Sequence, residues 1–123
     1  MHLTMSTLSK TWIFDLDGTL VEHNGYKTGE DRILPGVKEF WAQIPETDYI
    51  LIVTSRENAA KEKTENFLLN NHLRFNKILF EMPMGERILM NDDKPSGLPM
   101  AFSVRRKRNE GLADLDIQID ETL

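Results

Sequence analysis

Short apolar runs recur along this chain, and their spacing switches between strand and helix periods. Ile13 and Phe14, flanked by Thr11 and Trp12, predict a short buried strand that ends at Asp15. Gly18 terminates it. From Val21 to Ile33 the sequence is polar and carries Asn24-Gly25 and Gly29, the pattern of a loop or small hairpin overhanging the end of that strand. Pro35-Gly36 opens a helix running to about Ile44, with Val37, Phe40, Trp41 and Ile44 on one face, and Pro45 closes it. Tyr49–Val53 is a near-continuous apolar run, as expected of a strand covered on both faces in a parallel sheet. A second helix is expected over Asn58–Asn70, with Ala60, Thr64, Phe67 and Leu68 inward and the charged residues mostly outward. Ile78-Leu79-Phe80 and Ile88-Leu89-Met90 predict two more strands, the latter ending in Asn91-Asp92-Asp93-Lys94-Pro95. Pro99–Val104 reads as another strand, and Leu115–Ile119 alternates with period two, as an edge strand does.

This order implies an α/β fold with a mostly parallel sheet, right-handed crossovers and a site at the carboxyl ends of the strands. Asp15, Thr54 and Asp92 each follow the last apolar residues of a different expected strand, so parallel strands would gather them on one rim. Only Glu81–Arg87 separates the third and fourth strands, which is short for a parallel crossover. Either those strands are very short or they pair antiparallel. With 123 residues the chain is expected to form one domain, residues 1–123, without a separate cap.

Composition narrows the chemistry. No cysteine is present, so disulfides, thiolate metal sites and cysteine nucleophiles are excluded, and any metal must sit on oxygen or imidazole. His2, His23 and His72 are scattered and suggest no histidine cluster. The N-terminal residues lack a leader pattern and no stretch approaches a membrane span, so a soluble cytoplasmic protein without a membrane partner is expected. A formal net charge of −5 makes nucleic acid a poor partner for the surface as a whole. The one basic run, Arg105-Arg106-Lys107-Arg108, reads first as a solvated turn.

The chemistry-bearing string is Asp15-Leu16-Asp17-Gly18-Thr19. It is no calcium loop: an EF-hand needs glycine at loop position six and glutamate at twelve after a helix, whereas Gly18 is fourth, Tyr26 twelfth, and a strand precedes. Together with Val53-Thr54-Ser55 and Ile88-Leu89-Met90-Asn91-Asp92-Asp93, it resembles the signature of the haloacid dehalogenase-like (HAD) phosphatase superfamily. Gly85-Glu86-Arg87 with Asn91–Pro95 is similar to small capless members of surface-polysaccharide pathways. The resemblance covers roughly the first 95 residues.

That resemblance implies a three-layer Rossmann-like fold and Mg²⁺-dependent hydrolysis of a phosphate monoester, such as a sugar or polyol phosphate, through an aspartyl phosphate. Asp15 would be nucleophile and metal ligand, and Asp17 the acid toward the leaving oxygen and the base toward water. The Asp17 backbone carbonyl and the Asp92 side chain would complete the metal ligands, with Asp93 a neighbouring or substitute ligand. Thr54 would donate its hydroxyl to a phosphoryl oxygen; as the alternative, Thr54 or Ser55 caps the following helix. Gly18 would let backbone N–H groups approach phosphate. Three residues compete to be the basic clamp, in the order Lys94, Arg87, Lys77. Glu22, His23, Tyr26, Lys27, Ser55 and Arg56 are the candidates for contacts with the rest of the substrate. An open, capless site also suggests a homo-oligomer that covers it. Two rival readings remain: a phosphatase of nucleic-acid ends using Arg105–Arg108, and a binding module without turnover.

Overall fold

The computed structural model describes residues 1–123 as five strands and two helices. In chain order these are β1 (His2–Met5), β2 (Thr11–Asp15), α1 (Val37–Gln43), β3 (Tyr49–Val53), α2 (Lys61–Asn70), β4 (Lys77–Leu79) and β5 (Asp116–Ile119). The strands form two small parallel sheets, one of order β2-β3-β4 and one pairing β1 with β5.

Alternation along the strands decides which side chains are buried. Phe14, Ile50, Ile52 and Ile78 join Phe40 and Trp41 of α1 and Leu68 of α2 in a single core cluster, so both helices cover the same face of the three-stranded sheet. Aromatic rings fill its centre: Phe14 lies 4.4 Å from Trp41 between ring centroids, and Trp12 meets Phe40 edge-on at 5.6 Å. The indole N–H groups are satisfied, Trp12 by Asp48 at 2.9 Å and Trp41 by the Arg74 carbonyl at 2.8 Å. Both tryptophans thus belong to packing. Leu112 and Leu115 bring the C-terminal segment into the same core. That segment comes so close to the start of α1 that a Cβ on Gly36, where φ is +77°, would lie 2.2 Å from the Ala113 nitrogen. Only glycine fits there.

The expected α/β class is present, but the three-layer arrangement is not. With both helices on one face, Ile13 stays exposed on the other and Leu51 is only half-buried. Tyr49–Val53 is therefore fully covered on one face, while on the other Tyr49 is exposed, Leu51 half-buried and only Val53, at the end of the strand, buried. The strands expected at Ile88–Met90 and Pro99–Val104 do not form, and Ile88, Leu89, Met90 and Phe102 are exposed. For Ile88–Met90 the Glu81–Arg87 link is too short to carry a parallel crossover, and no antiparallel pair takes its place. The C-terminal strand begins at Asp116 rather than Leu115, and its partner is β1, which the polar-apolar pattern of His2–Met5 had not marked. Arg106 is not part of a solvated turn, because its guanidinium folds back onto the Gly111 carbonyl, Glu110 and Asp114. No helix is long and apolar enough to cross a membrane.

Candidate active site

Parallel register makes Asp15 and Thr54 neighbours. Asp15 pairs with Val53, so Thr54 follows at the carboxyl end of the adjacent strand. The Asp15 carboxylate is about two-fifths exposed, its side-chain accessibility being 39%. It accepts from the Thr19 hydroxyl on one oxygen and from the Arg87 guanidinium on the other, both at 3.0 Å. Of the three basic candidates, the structure therefore places Arg87 against the expected nucleophile. Lys94 makes its bonds through its backbone, to and from Leu98 and Gly97. Lys77 sits at the opening residue of β4, away from the rim at that strand's carboxyl end.

The chain turns sharply after Asp17. Gly18 has φ +86°, and the N–H groups of Thr19, Leu20 and Val21 all bond to the Leu16 carbonyl while that of Gly18 bonds to Val21. The glycine is needed for the turn, as expected, but these four N–H groups close the turn itself and are not free for phosphate. Asn109 fastens the turn from outside, donating its N–H to the Gly18 carbonyl and accepting from the His23 N–H with its side chain, each at 2.8 Å.

Thr54 is buried, and its hydroxyl oxygen accepts from the Arg56 N–H at 3.1 Å. Neither Thr54 nor Ser55 caps α2, whose first residues have no side-chain cap. Arg56 does not reach toward substrate. Its side chain is 1% exposed and is gripped by Asp17 and Asp31 on two edges, by Thr64, and by the Tyr26 ring 4.0 Å from its central carbon. Burial works to lower its affinity for a proton, but hydrogen bonds and charge from Asp17 and Asp31 more than offset this and hold it above its ordinary value. A buried cation is thus held in place by two carboxylates, the arrangement such a charge requires.

The 21–33 loop folds over this group. Tyr26 lies in a single turn of 3-10 helix, Gly25–Lys27, with Lys27 exposed beside its ring. Glu22 is exposed near Arg32, and the His23 Nδ1 is buried without a partner close to Gly18. Ser55 is exposed and, with Glu57, Glu81 and Met82–Met84, lines a shallow depression beside the rim.

The residues proposed for Mg²⁺ do not form a metal site in this arrangement. Both Asp17 oxygens accept from Arg56, Asp15 is shared between Thr19 and Arg87, and Asp92 and Asp93 lie exposed on the irregular segment after Arg87. No group of three or more acidic or imidazole side chains converges anywhere in the chain. The expected meeting of Asp92 with Asp15 and Thr54 fails because the strand that would carry it is not formed.

Sequence reasoning missed Asp31 and Asn109, and it gave no role to Thr19, although that residue closes the string that begins at Asp15. Asp31 stands in a polar loop with no local signal, and Asn109 reaches the site only through tertiary contact. Thr64 did leave a trace, being a polar residue on the inward face of a helix. Comparison of the chain with known protein families, curated proteins and solved structures finds no match.

Proposed function

We propose that this chain hydrolyses phosphate monoesters, with Asp15 as the nucleophile and Arg87 as the cation that meets the phosphoryl group. The observation that carries the reading is the 3.0 Å contact between the half-exposed Asp15 carboxylate and Arg87, two residues 72 positions apart in sequence. A carboxylate and a phosphate monoester repel one another, and an arginine touching the nucleophile offsets that repulsion where they must meet. Attack of an Asp15 oxygen on phosphorus releases the alcohol, which takes up a proton, and leaves an aspartyl phosphate. Water then attacks phosphorus, loses its proton, and restores the carboxylate with release of inorganic phosphate. Thr54, at the next strand end, is buried with its hydroxyl oxygen accepting from the Arg56 N–H, so it borders Asp15 without being open to the phosphoryl group.

Asp17 suits half of its expected acid–base role. With both oxygens accepting from Arg56, it is arranged to take a proton from water rather than to deliver one. The same observation favours a second reading, a module that binds phosphate without turning it over. A small sugar or polyol phosphate remains the proposed substrate class, and the capless rim is compatible with cover from a second copy. Arg106, bound into the fold, withdraws one cation from the basic run that a nucleic-acid-end substrate would need.

Release of p-nitrophenol from p-nitrophenyl phosphate tests the proposal, measured with and without Mg²⁺ because the resemblance expects that ion to be required. Asp15→Asn should abolish turnover, while its stability should change by less than about 1 kcal/mol because the Arg87 pair is exposed. Turnover that survives Asp15→Asn would remove Asp15 as nucleophile. Phosphate binding to Arg87 with no turnover of any monoester would select the module.

A further inference from the structure

We propose that Asp31 and Tyr26 are positioning residues that act on Asp17 through Arg56, so that the 21–33 loop and the Asp17 carboxylate are held as one unit. This rests on the phosphatase reading for its catalytic consequence but not for its geometry.

A guanidinium has five N–H donors in one plane, and all five are used here. Nε donates to Asp17 Oδ2 at 3.0 Å and Nη2 to Asp17 Oδ1 at 2.9 Å. On the adjoining edge Nη2 also donates to Asp31 Oδ1 at 2.7 Å, and Nη1 to Asp31 Oδ2 at 3.1 Å. The last Nη1 donor goes to Thr64 Oγ1 at 2.9 Å. One face of the plane is closed by the Tyr26 ring, 4.0 Å away. With its donors occupied and 1% of its side chain exposed, Arg56 has nothing left to offer a substrate.

What Arg56 can do is transmit position. A forked pair with a carboxylate fixes the carboxylate plane as well as its distance. Asp17 is held by Arg56 alone among side chains, whereas Arg56 is held in turn by the loop through Asp31 and Tyr26 and by α2 through Thr64. Removing the loop's grip leaves the guanidinium free to pivot about Thr64, and Asp17 moves with it. The 21–33 loop therefore governs the residue beside the nucleophile without touching the reacting atoms.

The test compares Asp31→Asn, Tyr26→Leu and Tyr26→Phe in the full chain, the last keeping the ring face that covers Arg56. For p-nitrophenyl phosphate, kcat should fall about tenfold or more in Asp31→Asn and by less in Tyr26→Leu, with KM changed less than about twofold, because misplacing a reacting group slows the chemical step. Tyr26→Phe, which keeps the ring over Arg56, should lose less than Tyr26→Leu. An unchanged kcat in Asp31→Asn, or equal losses in the two Tyr26 variants, overturns the proposal. A second readout needs no activity: solvent exchange of the Arg56 Nε–H, which reports its bond to Asp17, followed by ¹⁵N NMR. Protection in wild type and Tyr26→Phe that is lost in Asp31→Asn and Tyr26→Leu supports the coupling, and equal protection in all four refutes it. Absence of turnover in the wild type would sink the phosphatase reading alone, and the exchange experiment would still decide this one. Should Asp31→Asn fail to fold, the two Tyr26 variants decide by the same measurements.

Discussion

Replacing Arg56 with methionine keeps much of the side chain's length and removes its charge, leaving Asp17 and Asp31 facing each other across the vacated space. The Asp31 side chain is 3% exposed and that of Asp17 16%, so neither carboxylate can recover its hydration without local opening. Breaking a buried ion pair by removing one partner costs about 3–5 kcal/mol, more than the pair is worth relative to an apolar replacement. A domain of this length has about 6–18 kcal/mol of stability in total, so the loss is a large fraction of it. In urea, with a slope of about 2 kcal/mol per molar, the midpoint should fall by roughly 1.5–2.5 M. Trp41, in the core cluster, and Trp12, packed against it, supply the fluorescence signal. The triple variant Arg56→Met, Asp17→Asn, Asp31→Asn should recover a good part of the loss, since it removes the stranded charges. A midpoint shift under about 0.5 M for Arg56→Met alone, near the size of a surface change, would show that the cluster is solvated in solution and that the argument from burial is wrong.

Two further outcomes follow from geometry away from the site. Gly36→Ala should destabilise by about 2–5 kcal/mol, combining left-handed strain with overpacking against Ala113, whereas Gly97→Ala, also at positive φ but in open space, should show the strain alone; urea midpoints compare them, and equal losses would contradict the close approach. Hydrogen bonding from Arg106 holds the Asp114 carboxyl below its ordinary value of 3.8. A lowered carboxylate contributes its stability in full above that ordinary value and loses it as pH falls through the lowered one, so the thermal-midpoint difference between wild type and Asp114→Asn should be constant above about pH 5 and vanish in stronger acid. A difference that grows as the solution is acidified would reverse the sign and refute the pairing.

The elements readable from the chain were those whose signal is local. Thr11–Asp15, Tyr49–Val53 and Ile78-Leu79 are apolar runs that become β2, β3 and most of β4, and the 3.6-residue spacing of Val37, Phe40 and Trp41 becomes the buried side of α1. The placement of Asp15 and Thr54 on one rim followed from parallel pairing alone, and the register bears it out. Where local pattern misled, partners were missing or remote. Ile88-Leu89-Met90 has the composition of a strand, but the link before it is too short for a parallel crossover and no antiparallel pairing with β4 forms. His2–Met5 has a weak pattern and becomes β1 only because Asp116–Ile119, more than a hundred residues later, lies beside it.

The amino-acid order by itself determined the α/β class, the tight glycine turn after Asp17 and the position of Asp15 at a strand end, because periodicity and backbone sterics act over a few residues. Tertiary structure alone decided that Arg87 meets Asp15, that Arg56 turns inward to Asp17 and Asp31, and that Asp92 stays outside. Long charged side chains take partners according to which oppositely charged group the folded chain brings within about 3 Å, and how deeply it is buried. No spacing along the sequence encodes that.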